Sequence, residues 1–348
     1  MHPRLKANNF DLLRFLFAGT VFLVHAYVLS GHPDLQFLST ALSSEVAVRG
    51  FFVVSGILVF MSFENSRSFR SYAEKRLRRI YPAYFVAVML GAMLLVILST
   101  AAPVDYFSFE WIKYVLANLV FLNFIHPTLP GVFPDNIFHE INGALWTLKI
   151  EVMFYAVIPV IVLACRRFGR LWILTFTYAA SALYTFVLTG LAETTGSPMY
   201  VVLARQLPGQ LTYFVSGALI YYYLDVFEKH LLKFLIPAVC VLIAHKLYPL
   251  PVLEPLALAT VVAFFGFFLY AGNFGKHGDF SYGIYILHFP ILQALVHMGF
   301  FERSPYFALA VAFVLVLGAA VLMWNFVEKR FLLRSSHYIT SERDAAKP

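Results

Sequence analysis

The sequence predicts an all-α protein that threads a membrane about ten times, and three observations carry that prediction. Of its 348 residues, 60% are hydrophobic and only 13% charged, with a mean hydropathy of +0.75. Soluble domains carry about 25% charged residues. Apolar runs of spanning length, about 20 residues each, recur along the whole chain. The Lys and Arg between them fall mostly on alternate connections.

Taken in order, the candidate spans are 10–29, 46–63, 81–101, 144–164, 171–190, 204–224, 232–248, 253–272, 281–300 and 306–326. The first is too long, and too interrupted by Arg14, for a cleavable signal, so it reads as an uncleaved span. Another apolar stretch, 107–125, contains Glu110 and Lys113 and is amphipathic. It reads as an interfacial or re-entrant helix on the outer side. Counting it as a span would put the following loops on the wrong sides.

Charge tests the threading. With both termini cytoplasmic, the inner segments hold 19 of the 26 Lys and Arg residues. Arg4 and Lys6 precede the first span, and six more lie from Arg67 to Arg79. Three run from Arg166 to Arg170; Lys229, Lys233 and Lys276 follow, and five lie from Lys329 onward. The outer loop 126–143 has neither residue type. This is the positive-inside pattern. It also accounts for the net charge of +7, so nucleic acid is not an expected partner. Cys165 and Cys240 show no metal-ligand spacing and no disulfide framework. One membrane domain, 1–333, precedes a short polar cytoplasmic tail, 334–348, with no internal repeat.

Ionisable groups are costly in hydrocarbon, and those retained there are candidates for function. "FDLLRFLFAGTVFLVHAY" carries Asp11, Arg14 and His25. Arg14 and His25 are just over three helical turns apart, which puts them on nearly one face. At ~1.5 Å per residue they are separated by roughly 16 Å along the axis. Arg14 therefore lies near the cytoplasmic surface and His25 in the outer half. Asp11 is one turn from Arg14, within pairing distance. A snorkelling arginine and a hydrogen-bonded packing histidine explain the same residues.

Four later stretches are of the same kind. "RGFFVVSGILVF" offers Gly50, Ser55 and Gly56, small residues suited to close helix packing. Ser55 as a nucleophile lacks a local base, and Arg49 has Glu45 one turn away. "KRLRRIYPAYF" places Arg76 and Arg79 ahead of a span expected to start near Pro82, a residue tolerated in a first turn. Those arginines could bind phosphate, or serve only as a topology signal. "NGALWTLKIEVMFYA" holds Asn142, Trp146, Lys149 and Glu151. Glu151 lies at the depth of His25 and could orient it, or form a structural ion pair. "DFSYGIYILHFPIL" contains His288, which a proline kink and a satisfied packing histidine explain adequately.

These stretches, in this order, resemble acyltransferase family 3, the bacterial membrane acyltransferases of extracytoplasmic glycans. The arginine, ten residues, histidine pattern of the first helix is similar to that family's. So are "GFFVVSGILVF", "RLRRIYPAYF", "NGALWTLKIEVMFY" and "SYGIYILHFPI". The closing "FVEKRF" departs from a common Glu-x-Pro pattern, so Glu328 carries no weight here. The resemblance runs from about Asn9 to Arg330.

It implies an enzyme of the bacterial inner membrane, in a stand-alone form without a fused esterase-like domain. An acyl group, usually acetyl, passes from cytoplasmic acetyl-CoA to a glycan or glycolipid hydroxyl, with no permanently bound cofactor and no metal. By position it marks Arg14, Arg76 and Arg79 for the acyl-CoA, and His25 and Glu151 for catalysis. Asp11, Ser55, Trp146 and Asn142 are possible supports. His25 is expected as general base, with transfer through His25 or Ser55 as the covalent variant. Loop 126–146 is expected to help bind glycan. The alternative reading is a transporter or flippase for a glycan or lipid precursor, which would act without an acyl donor.

Overall fold

The computed structural model describes residues 2–333, 336, 338 and 339. Most of the tail expected at 334–348 lies outside the described residues. Among those residues the regular structure is helical, without strands. The long helices are α1 (Phe10–Ser30), α2 (Ser44–Glu64), α3 (Phe69–Leu94), α4 (Phe109–Leu119), α5 (Trp146–Phe168) and α6 (Arg170–Thr195). They continue with α7 (Leu207–Tyr222), α8 (Leu231–Leu247), α9 (Glu254–Phe267), α10 (Ser281–His297) and α11 (Pro305–Met323).

Every stretch expected to span overlaps one of these helices, the 81–101 stretch only over its first fourteen residues. Among the described residues, six helical segments are long and apolar enough to cross a bilayer unaided: Phe10–Ser30, Pro33–Glu64, Phe69–Leu98, Gly143–Phe168, Arg170–Thr195 and Pro305–Phe331. Helices α7 to α10 have 16, 17, 14 and 17 residues. At ~1.5 Å per residue they are shorter than the hydrocarbon layer. Helix α4, with 11 residues, lies within the stretch assigned to the interface and is too short to span.

One expectation needs correction. Pro82 does not open its helix; α3 starts at Phe69 and runs through it. The basic cluster is thus helical rather than a loop ahead of a span. Side-chain anchors hold these early turns: Arg78 bonds Glu74 one turn back at 2.8 Å, and its guanidinium reaches the Phe331 carbonyl at 3.3 Å.

The chain divides into two compact units. The first comprises Met1–Leu13, Val48–Ala73 and Ile150–Phe274. In it α2 and α7 meet backbone to backbone. A Cβ on Gly56 would lie 2.1 Å from the Phe214 carbonyl oxygen, and one on Gly217 2.3 Å from that of Val53. Close approach through small residues is the usual membrane-helix contact. Around it Phe214 stacks on Phe52 with centroids 4.7 Å apart, and Phe60 tilts onto Phe154 at 6.0 Å. Pro159 inside α5 has no N–H to offer the Tyr155 carbonyl. The buried Tyr72 hydroxyl donates to that oxygen instead, at 3.1 Å.

The second unit comprises Arg14–Ala47, Glu74–Lys149 and Gly275–Pro348. Here Gly283 of α10 sits against α11, where a Cβ would come within 2.9 Å of the Ala320 Cα. The outer loop is tied to α10 by amides. Asn136 donates to the Gln293 side chain at 2.8 Å, and Gln293 donates to the Phe138 and Glu140 carbonyls at 2.6 and 3.0 Å.

The contact of α2 with α7 leaves no room for a methyl group. Gly56→Ala should destabilise the protein by about 1–3 kcal/mol, the usual cost of overpacking. Thermal unfolding in detergent measures this, with Gly19→Ala, which meets open space, as the neutral control.

Candidate functional site

Three polar groups stand out, two in the second unit and one in the first. At the Arg14 end of the second unit, four charged side chains interlock. Asp279 is 1% exposed and receives Arg79, with Arg14 at 3.5 Å. The other side of the Arg79 guanidinium donates to Glu328 at 3.0 Å, and Glu328 is also 1% exposed. Asp279 additionally accepts the Ser281 backbone N–H at 3.0 Å and the Tyr338 hydroxyl at 3.0 Å, while Tyr338 also meets Arg14. The Arg79 guanidinium lies over the Tyr282 and Tyr338 rings, 5.8 and 5.2 Å from their centroids.

Local sequence explains part of this. Asp279 lies two residues before Ser281, the first residue of α10, so its carboxylate can accept that residue's orphan N–H. Glu328 closes a wide turn, Trp324–Glu328, in which the helix loosens to a π-type spacing after α11. Buried charges persist only when paired and hydrogen-bonded. Arg79 is the common partner of both carboxylates. Arg76 lies one turn ahead of it on α3, half-buried.

Higher on α1, His25 meets a second histidine. Its Nδ1 lies 2.8 Å from Nε2 of His288 on α10, and the rings stack with centroids 5.1 Å apart. His288 is fully buried, whereas His25 is only partly covered. The remaining ring nitrogen of His288, Nδ1, lies 3.2 Å from the Ile284 carbonyl oxygen. Phe289 sets its ring edgewise to His25, centroids 5.7 Å apart.

This turn of α10 is secured from the outer loop. Pro290 lies inside the helix and cannot donate to the Ile286 carbonyl. The Asn142 amide donates to that oxygen at 2.8 Å. Next to it, a Cβ on Gly143 would strike the Phe289 ring at 2.8 Å. Thr147 and Tyr285 share a hydroxyl–hydroxyl bond of 2.7 Å. The end of the outer loop and the start of α5 are therefore pinned to the turn that carries His288 and Phe289.

In the first unit, Glu151 of α5 accepts hydrogen bonds from the Ser55 hydroxyl at 2.7 Å and the Tyr155 hydroxyl at 2.8 Å. Ser55 thus has a carboxylate neighbour that its local sequence does not provide. Lys149, which belongs to the second unit, directs its ammonium over the Phe124 ring, 4.4 Å from the centroid. Arg49 has Glu254 at 3.5 Å and lies over the Tyr213 ring at 5.2 Å. Glu254 is 3% exposed.

The nine residues singled out in the sequence thus fall as follows. Arg14 and Arg79 share one network, with Arg76 a turn away. His25 has His288 as its ring partner, while Ser55 and Glu151 are joined to each other in the first unit. Asn142 stabilises the proline-freed carbonyl, and Trp146 is the first residue of α5, half-buried. Asp11 precedes Arg14 by one turn on α1. The sequence reading missed Asp279 and Glu328 and undervalued His288. The available signal was the same for all three: an ionisable group at or inside an apolar run, which hydrocarbon does not tolerate without a partner.

Removing Arg79 would leave two buried carboxylates without their shared cation. Arg79→Ala should cost about 3–5 kcal/mol of stability, as breaking buried ion pairs does. The measurement is the thermal midpoint of the detergent-solubilised protein. Adding Asp279→Asn and Glu328→Gln to the same variant should recover part of the loss.

Comparison with known proteins adds the chemistry. The family described as an acyltransferase domain matches residues 8–324. The O-acetyl transferase of Shigella phage Sf6 is similar at 28% identity over 343 residues, covering 95% of this chain and 98% of the phage protein. Nodulation protein 10 of Rhizobium leguminosarum bv. viciae is similar at 27% identity over 353 aligned positions, covering 94% of each chain. No solved structure gives a significant match.

Proposed function

The chain belongs to acyltransferase family 3, and from that membership we propose that it carries an acetyl group from cytoplasmic acetyl-CoA to a hydroxyl of an extracytoplasmic glycan, with His25 as general base. The observation that carries this reading is the state of His25. It is a partly accessible imidazole on an apolar helix, with one ring nitrogen already engaged by a fully buried partner. That leaves a single nitrogen for chemistry. The similarity to a protein named O-acetyl transferase supports acetyl as the acyl group.

In this reading the two substrates approach from opposite faces of the membrane. Acetyl-CoA is polyanionic, and Arg14, Arg76 and Arg79 form its site at the inner end. Asp279 pairs with Arg14 and Arg79, and Glu328 with Arg79, which holds those two guanidinium groups in place. The acyl thioester extends toward the depth of His25. His25 takes the proton of the glycan hydroxyl as its oxygen attacks the thioester carbonyl carbon. The C–S bond then breaks, and the departing thiolate recovers the proton from the imidazolium. The enzyme ends as it began, with an ester and free CoA as products. The outer loop 126–146, tied to α10 beside His288, supplies the glycan-binding surface.

A second reading draws on the bond between Ser55 and Glu151, in which the serine carries the acyl group as a covalent intermediate. Ser55→Ala separates the two: acyl-CoA turnover persists under direct transfer and stops under the covalent route.

His25→Ala, at normal membrane abundance, should abolish base-labile acetyl esters on the surface glycan, read by mass spectrometry with and without the gene. Unchanged acetylation would remove His25 from the mechanism. Arg76→Ala, which leaves both buried carboxylates paired with Arg79, should raise the dissociation constant for acetyl-CoA about tenfold. The factor corresponds to about 1.4 kcal/mol, close to the lower end of what one charge-assisted hydrogen bond contributes.

A further inference from the structure

We propose that His288 is a positioning residue that holds His25 in a single tautomer, with the proton on Nδ1 and the lone pair on Nε2, and that the carbonyl of Ile284 sets the order. The inference rests on the reading of His25 as the general base.

The argument follows the protons along three groups. A carbonyl oxygen only accepts, so the 3.2 Å contact with the Ile284 oxygen requires the hydrogen of His288 to sit on Nδ1. A neutral imidazole carries one N–H, so Nε2 of His288 is then a bare acceptor. That nitrogen lies 2.8 Å from Nδ1 of His25, a hydrogen-bond distance. Two nitrogens at that distance need one hydrogen between them, and His288 has none to offer there. His25 therefore donates from Nδ1, and its Nε2 keeps the lone pair a general base needs.

Burial divides the roles. His288 is 0% exposed and its two nitrogens face Ile284 and His25, so it has no face left for a substrate. His25 is the partly exposed member. When His25 gains a proton on Nε2, its Nδ1–H still donates to His288, and the bond becomes charge-assisted. One geometry thus serves both the resting imidazole and the imidazolium formed during transfer. Carboxylates hold histidines in this way elsewhere; here a second neutral histidine does so without adding a buried negative charge.

The surroundings keep His288 in place. Its backbone turn is the one whose free carbonyl, Ile286, accepts from Asn142. The Tyr285 ring contacts it edgewise at 5.9 Å, and the Tyr285 hydroxyl is held by Thr147 at 2.7 Å. Phe289, seated against Gly143, sets its ring edgewise to His25 beside His288.

The experiment compares His288→Leu with His288→Gln, which keeps an oxygen acceptor for the His25 Nδ1–H. In full-length protein in bilayers, His288→Leu should lower kcat on the order of 10²-fold, the scale of general-base catalysis. KM for acetyl-CoA should change less than about threefold. His288→Gln should recover at least about a tenth of the wild-type kcat. Solid-state ¹⁵N spectra of histidine-labelled protein read the tautomer directly, with the His25 signals identified by their loss in His25→Ala. Wild type should show His25 protonated at Nδ1, and His288→Leu should shift it toward Nε2. A wild-type His25 protonated at Nε2, or a His288→Leu protein with unchanged tautomer and kcat, would overturn the inference. If His25→Ala itself stays active, the base assignment fails instead, and the two failures are told apart.

Discussion

The constraint on which this structure depends is that a polar group inside a membrane must find its partner within the protein. Water does not compensate a stray carboxylate or a carbonyl left over by a proline there. Almost every feature that positions the chemistry answers that requirement. Arg79 joins Asp279 and Glu328, both almost completely buried. His288 meets a carbonyl on one side and His25 on the other. Each pairing that satisfies a buried group also fixes a side chain in one geometry.

Proline shows how the same constraint shapes the helices. Pro159 and Pro290 each withdraw an N–H from a helix interior, freeing the carbonyl four residues earlier. Tyr72 supplies the missing donor to Tyr155, and Asn142 supplies it to Ile286. In the second case the donor comes from the outer loop, so repairing the helix also ties that loop to the turn bearing His288. Glycine works alongside at the contacts of bare backbone: Gly56 and Gly217 between α2 and α7, Gly283 against α11. Polar pairing fixes orientation, and small residues fix distance.

For an acyltransferase these devices have a chemical use. A base that must take a proton from a weakly acidic hydroxyl needs its lone pair aimed and its other nitrogen occupied. At His25 one ring nitrogen faces the buried His288. The charged network at the Arg14 end combines two arginines with two carboxylates, so that its charge is balanced internally. The family membership identifies the reaction type as acyl transfer.

Much of this was legible in the sequence, and the division has a simple physical basis. Apolar runs and charge bias gave the membrane class and the positions of the helices, because hydropathy and helical periodicity are local properties. The eleven-residue step from Arg14 to His25 fixed their shared face for the same reason. The tertiary structure alone decided which side chains meet. His25 and His288 are 263 residues apart, and Arg79 and Glu328 are 249 apart. Ser55 lies 96 residues from Glu151. No periodicity within one helix specifies such a pairing, because it depends on how helices distant in the chain pack against one another. The start of α3 was misread for a related reason: Pro82 is a local signal for a helix's first turn, and side-chain anchors at Arg78 and Arg79 carried the helix through it. The sequence determined where a polar residue would need a partner, and packing determined which partner it received.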